Sequence, residues 1–338
     1  MSVPRAGASP RTVGARPATG FVSYIDAADI DAQLRNDALE GLTSINKSLP
    51  SKWFYDERGS QLFDEITRLP EYYLTRTERR ILLDRADSIA KHTGADTLVE
   101  LGSGTSEKTC ILLDAFRRTG YLRRFVPFDV DADTLSFAAA KLLGTYSEIE
   151  VRGICGDFER HLDTISQPGR SMVVFLGSTI GNLDPLQRAS FFDQLASSLK
   201  PGDSFLVGVD LVKDVAAIEA AYNDSMGVSA DFNLNILSVL NRRLDADFDL
   251  SRFRHLARFN PDEEWMDMWL CSTQDQAVRL RAIDLEVRFK EGELLHTEIS
   301  AKFRKEGFEE ELANAGLEPT RWWTDAGQMF ALSLSHKP

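Results

Sequence analysis

The chain has 338 residues, 52 acidic against 39 basic side chains, a formal net charge of -13, and 43% hydrophobic and 27% charged residues. That apolar content supports folded cores, and the length favours two domains over one. The negative balance argues against nucleic acid or an anionic membrane as partner, since both call for clustered Lys and Arg. Apolar runs such as Met172 to Leu176 fall far short of the roughly 20 residues that cross a bilayer.

In chain order, residues 1–22 are predicted to be a disordered tail, because the first 20 are rich in Ala, Pro, Gly and Arg and lack an amphipathic stripe. Leu62, Phe63, Ile66 and Leu69 form a helical face closed by Pro70, and Thr75 with Glu78 reads as a capping box for a helix running to Gly94. Short apolar runs then alternate with amphipathic stretches, the order of a parallel sheet wound by helices. The predicted strands are Thr97 to Leu101, Arg124 to Phe128, Ile149 to Ile154, Ser171 to Leu176 and Asp203 to Val209. Helices are predicted from Thr105 to Thr119 before Gly120, and from Asp133 to Leu143 before Gly144. A third opens at Asp184-Pro185, with Leu186, Phe192, Leu195 and Leu199 on one face.

After Asp210 the rhythm changes. A helix from Val212 to Met226 precedes predicted antiparallel strands at Phe253 to Phe259, Glu264 to Ser272, Val278 to Phe289 and Leu294 to Phe303. A helix from Phe308 to Ala315 and a hairpin of Glu318 to Trp323 with Phe330 to Ser335 close the chain and are assigned to the first sheet's edge. Cys110, Cys155 and Cys271 are scattered without metal-ligand spacing, which implies a reducing cytoplasm and no structural metal.

The strongest chemical signal is Glu100-Leu101-Gly102-Ser103-Gly104-Thr105-Ser106, at a strand end that opens a helix. Glycines there let a backbone turn sharply and approach a ligand, although a plain tight turn has the same composition. Asp129 and Asp157, beside Phe158, end the next two strands, so three carboxylates face the sheet edge where α/β folds bind ligands. A dinucleotide enzyme would set its pyrophosphate at the helix N-terminus and gain nothing from Glu100. S-adenosylmethionine (SAM) has instead an ammonium, a ribose diol and a sulfonium, all suited to carboxylates. A nicotinamide dehydrogenase is the alternative at this stage.

With the Lys200-Pro201-Gly202-Asp203 turn and the closing hairpin, the loop resembles those of class I methyltransferases. That resemblance implies a Rossmann-like doubly wound sheet with an antiparallel C-terminal hairpin. Glu100, Gly102 and Gly104 would lie near the amino-acid part of SAM, Asp129 at the ribose, and Asp157 with Phe158 at the adenine. Ser106 stands where the usual loop has its third glycine.

The resemblance sharpens at Lys52-Trp53-Phe54-Tyr55-Asp56, Leu69-Pro70-Glu71-Tyr72-Tyr73, Phe175 to Leu183, and Arg321-Trp322-Trp323-Thr324-Asp325. From about Tyr24 to its C-terminus the chain resembles the histidine-specific methyltransferases of ergothioneine biosynthesis (EgtD family). Leu74 and Cys110 depart from that pattern, but neither is a proposed ligand contact. The resemblance implies transfer of three methyl groups from SAM to the α-nitrogen of L-histidine, giving hercynine and S-adenosyl-L-homocysteine, by a cytoplasmic monomer.

Carried over residue by residue, Lys108 and Gly177 join the cofactor site. Tyr55 and Glu298 hold the imidazole with Ser300 beside them, and Asn182 and Tyr222 hold the carboxylate. Tyr72 lies near the amine, and Met268 and Thr179 line the pocket. Tyr72 and Asn182 are the residues expected closest to the chemistry. The implied division is a substrate-binding α+β domain from 23–76 and 213–302, and a Rossmann-like domain from 77–212 and 303–338.

Each residue also has a plainer explanation. Tyr222 shares a helical face with Ile218, Glu298 and Ser300 alternate with apolar neighbours as the wet face of a strand would, Asn182 suits a turn, and Tyr72 suits an interface. Their joint occurrence with the glycine loop favours the enzyme. An N-methyltransferase of an indole amino acid and a non-catalytic SAM-binding module are the competing functions.

Overall fold

A computed structural model describes residues 11–12, 19–104 and 108–338. Its strands in chain order are β1 (Arg11–Thr12), β2 (Thr19–Ser23), β3 (Thr97–Leu101), β4 (Arg124–Asp129), β5 (Glu150–Cys155), β6 (Ser171–Phe175), β7 (Ser204–Asp210), β8 (Phe253–Asn260), β9 (Trp265–Ser272), β10 (Gln276–Leu280), β11 (Leu285–Phe289), β12 (Leu294–Ala301), β13 (Glu318–Thr324) and β14 (Phe330–His336). The helices are α1 (Ala27–Thr43), α2 (Glu57–Ile66), α3 (Leu74–Thr93), α4 (Thr109–Thr119), α5 (Ala132–Thr145), α6 (Pro185–Ser198), α7 (Val215–Tyr222), α8 (Val228–Arg243) and α9 (Lys305–Asn314).

The large sheet runs β1-β2-β5-β4-β3-β6-β7-β14-β13. From β2 to β7 every pairing is parallel, and β14 and β13 close it antiparallel. This is the Rossmann-like sheet with an antiparallel terminal hairpin that the resemblance implies. Strand alternation sends Leu98, Phe125, Val174 and Leu206 into one core, and Val99, Val126, Phe175 and Val207 into another on the opposite face. Burial of each such side chain contributes about 1.5–3 kcal/mol, so the sheet edge that carries the acidic ends rests on a rigid base. The first core continues through α3 into Phe54, Tyr72 and Phe232. Beyond it lie a three-stranded antiparallel sheet, β12-β9-β8, and the β10-β11 hairpin.

Several expectations are corrected. Glu78 does not cap α3: the helix starts at Leu74 with Tyr73 as an N-cap whose side chain makes no capping bond, and Glu78 is fully buried. The helix expected from Val212 to Met226 is shorter, running only over α7 behind the Asp214 cap, and a further helix that the sequence did not disclose, α8, starts after Gly227 at φ 77°. The strand expected from Val278 to Phe289 is a hairpin turned at Arg281–Ile283, with Asp284 in the left-handed region. Residues 19–22 of the expected tail form part of β2, hydrogen-bonded alongside β5; residues 1–10 and 13–18 lie outside the described residues. Helix α5 runs one residue past Gly144, and Leu186 is 83% exposed, off the buried face of α6. Thr105 and Ser106 of the glycine loop lie outside the described residues, and α4 begins at Thr109. No described helix is long and apolar enough to cross a membrane.

Candidate active site

One cleft gathers most of the residues singled out from the sequence. Tyr55 enters it after the 3-10 turn Ser51–Phe54, Phe63 from α2, and Tyr72 from the turn before α3. Gly177, Thr179 and Asn182 follow β6, Tyr222 ends α7, and Met268, Glu298 and Ser300 come from β9 and β12. Phe232 and Asn233 of α8 complete the wall.

The 3-10 turn Thr179–Asn182 lies directly on β12. A Cβ at Gly181 would sit 2.9 Å from the Ala301 carbonyl oxygen, so only glycine permits the approach. The approach puts Asn182 Nδ2 2.9 Å from Glu298 Oε1, to which it donates. On β12 a register shift between His296 and Glu298 precedes two cleft-facing positions, Glu298 and Ser300. Burial pushes the Glu298 carboxyl up to about 8, against the pull of Lys302.

Tyr55 is 41% exposed and packs edge-on against Phe63 and Phe232 at 5.6 and 5.4 Å. Its phenol is pushed well above its ordinary value, first by burial of the hydroxyl and then by Glu298, Tyr72 and Tyr222. Tyr72, 7% exposed, is raised by burial, then by Tyr222 and Glu298; Tyr222 is raised by burial and Asp210. All three are therefore neutral hydrogen-bonding groups, and none serves as a phenolate base near neutral pH. Tyr222 and Ser300 share a hydrogen bond of 2.7 Å, and Lys302 Nζ donates to both at 2.8 Å. Behind Lys302, Asp210 accepts from it at 3.1 Å, from Lys213 at 2.5 Å and from the Tyr73 hydroxyl at 2.8 Å.

Along the carboxyl ends of β3 to β6 stand the residues expected to hold a cofactor. Gly102 and Gly104 have φ of 65° and 45°, and a Cβ on either would meet nothing within 4 Å, which leaves the turn open to a ligand. Asp129 Oδ2 accepts from the Gly104 amide at 3.0 Å, and burial raises its carboxyl above the ordinary value. Glu100 is buried and accepts from the Thr109 hydroxyl. Asp157 accepts from the Glu159 amide at 2.9 Å, and Phe158 packs edge-on against Phe175 at 5.4 Å. The open glycine backbone, the acidic strand ends and this aromatic fit a ligand with ammonium, diol and aryl parts.

Lys108 pairs with Glu78, whose other oxygen accepts from the Gly177 amide at 2.8 Å. Glu78 was missed because its i,i+3 spacing from Thr75 is also that of a capping box. Lys302 was missed because a lysine at the end of an amphipathic strand ordinarily reads as solvated. Asp210 carried a usable signal: like Asp129, it is an acidic residue at the carboxyl end of a sheet strand.

The family described as histidine-specific, SAM-dependent methyltransferases matches residues 34–337. A histidine N-alpha-methyltransferase from Mycolicibacterium smegmatis is 56% identical over 315 residues, 93% of this chain and 98% of that protein. One from Mycobacterium tuberculosis is 56% identical over 304 residues, 90% and 95% of the two chains. The ergothioneine biosynthesis protein 1 of Schizosaccharomyces pombe is 39% identical over 204 residues, 57% of this chain and 26% of its own length.

Proposed function

This chain belongs to the family of histidine-specific, SAM-dependent methyltransferases, and on that premise we propose how its cleft performs the reaction. It is a SAM-dependent histidine N-alpha-methyltransferase acting in ergothioneine biosynthesis. The finer reading is that it adds three methyl groups to the α-nitrogen of L-histidine, forming hercynine and S-adenosyl-L-homocysteine. The observation that supports it is the Asn182–Glu298 contact, because it ties the turn beginning at Gly177 to the one acidic side chain that lines the cleft among the described residues.

In this reading Glu100, Gly102, Gly104, Lys108, Asp129, Asp157, Phe158 and Gly177 hold SAM. When bound, SAM supplies a methyl carbon activated by its sulfonium, and displacement there calls for in-line alignment, not a protein nucleophile. Glu298 and Tyr55 grip the imidazole with Met268 against its face, Asn182 and Tyr222 fix the carboxylate end, and Tyr72 stands beside the amine. The α-amine must be neutral to attack, and its proton leaves to water, because the three phenols of the cleft stay protonated. An indole has no second ring nitrogen to satisfy Glu298, which favours imidazole.

We place the enzyme in the cytoplasm as a monomer. The buried thiols Cys155 and Cys271, outside any disulfide, support a reducing compartment, and size-exclusion chromatography with light scattering tests the monomer. Purified protein incubated with L-histidine and SAM should give products heavier by one, two and three methyl groups. Methylation of tryptophan in preference to histidine would overturn the substrate assignment.

A further inference from the structure

Lys302 is fully buried at the end of β12, and its ammonium has no unused donor: three N–H groups serve Asp210, Tyr222 and Ser300. Both hydroxyls accept from the lysine and bond each other, so one O–H donates within the pair. The other O–H is left to point elsewhere, and both residues line the cleft. An acceptor in the cleft therefore meets a hydroxyl polarised by an ammonium directly behind it.

The charges around this cluster do not balance. Asp210 is one carboxylate between two ammoniums, Lys302 and Lys213. Burial draws Lys213 down to about 8, so it remains charged near pH 7, and Asp325 acts on it only as a weaker influence. Glu298 faces Lys302 from the cleft side, but with its carboxyl up at about 8 it is mostly protonated there. Tyr73 and Tyr222 are neutral. Burial pulls the Lys302 ammonium below its ordinary value while Asp210, its direct partner, pulls it back up; with both lysines charged, one positive charge is in excess in a buried setting, which is costly until an anion arrives.

We infer that Lys302 is the fixed cation of the subsite for the substrate's α-carboxylate, acting through the hydroxyls of Tyr222 and Ser300 and not by touching the substrate. The inference rests on the reading of this cleft as the amino-acid site. It makes Lys302 a positioning residue: it attracts the carboxylate end, repels the α-ammonium, and so turns the amine toward Tyr72 and Gly177.

The test compares kcat/KM for L-histidine and L-histidine amide, which differ only at the carboxylate, in the parent, Lys302→Met, Lys302→Arg and the pair Lys302→Met with Asp210→Asn. Comparing the ratio between variants cancels the different basicity of the two amines. Lys302→Met should lower kcat/KM for histidine about 10- to 100-fold, mainly through KM, while the amide changes only a few-fold. Lys302→Arg should restore part of the preference, and SAM affinity should not move. The paired variant removes Lys302 together with its carboxylate partner and leaves Lys213 on the Tyr73 hydroxyl, not behind the Tyr222–Ser300 pair, so it gives the same reading if the single variant fails to fold. A folded variant that loses both substrates equally, or keeps the parental preference, overturns the inference. So does a parent that methylates histidine and its amide equally well, although the function then stands. A parent that methylates neither sinks the functional reading instead.

Discussion

Asn182 follows a parallel strand of the large sheet and Glu298 lies on an antiparallel strand of the small one, yet their side chains meet at 2.9 Å. The turn between Gly177 and Asn182 is thus anchored at both ends: Glu78 holds the Gly177 amide, and β12 receives Asn182. A displacement of either sheet would be felt at both halves of the cleft, which is how alignment of donor and acceptor can be kept without a catalytic nucleophile.

Truncating the acid at this contact should cost selectivity more than folding. Glu298→Ala leaves the Asn182 amide and the histidine ring nitrogen without a partner, and a cleft built to hydrogen-bond a heteroatom discriminates steeply against ligands that lack one. The ratio of kcat/KM for histidine to that for tryptophan should fall at least about 10-fold. A variant as selective as its parent would remove Glu298 from the imidazole site.

The same carboxyl predicts a pH effect on stability. Its folded-state value of about 8 lies above the ordinary 4.5, so between those pH values the folded protein retains a proton that the unfolded chain has lost. Stability from this group is therefore complete below about pH 4.5 and is lost as pH rises toward 8. Urea unfolding of the parent and Glu298→Gln at pH 5.5 and 9 reads it directly, each pH being about one unit above one of the two values. The stability of the parent relative to the variant should drop on the order of 3 kcal/mol across that span, and an unchanged difference would refute the assignment.

The strands and helices around the glycine turn were legible because their apolar runs and caps are local. Leu98 to Leu101, Asp184-Pro185 and the closing hairpin all appear where composition places them. Helix α8 was not legible, because Asn233 and Asn235 are buried on it and interrupt the apolar face; His255, Trp269 and Phe54 satisfy their amide nitrogens from distant elements. Tyr55, Glu298 and Ser300 were found through motif resemblance, since residue patterns alone suit a wet strand equally well. Lys302 and Glu78 were invisible for one physical reason: a charged side chain is buried only when tertiary partners meet it, and Asp210, Gly177 and Lys108 lie far away in sequence.

Glu78 should matter to the donor and not to the acceptor. Its carboxylate fixes the Gly177 amide and the Lys108 ammonium together from inside the protein. Glu78→Gln keeps the shape but replaces one acceptor with a donor facing Lys108, so the lysine is released. Calorimetric titration should show SAM binding weakened about 10-fold, with KM for histidine at saturating SAM little changed. Weakening of histidine alone would assign this pair to the other half of the cleft.

Tyr72 should distinguish the successive methylations. Its hydroxyl makes no hydrogen bond to a described residue and stays protonated, while its ring packs against Tyr222 at 6.4 Å. In the first transfer the attacking nitrogen keeps N–H groups through which other acceptors share the developing charge. In the third it has none, and the nearest oxygen dipole and aromatic face must stabilise the quaternary cation. Tyr72→Phe keeps the face and removes the oxygen, so the first step should slow less than about 3-fold and the third about 5- to 10-fold. Single-turnover reactions started from histidine and from its dimethylated form, followed by mass spectrometry, measure the two steps separately. Equal slowing of both would mean that the hydroxyl orders the cleft as a whole and has no particular part in accepting the last methyl group.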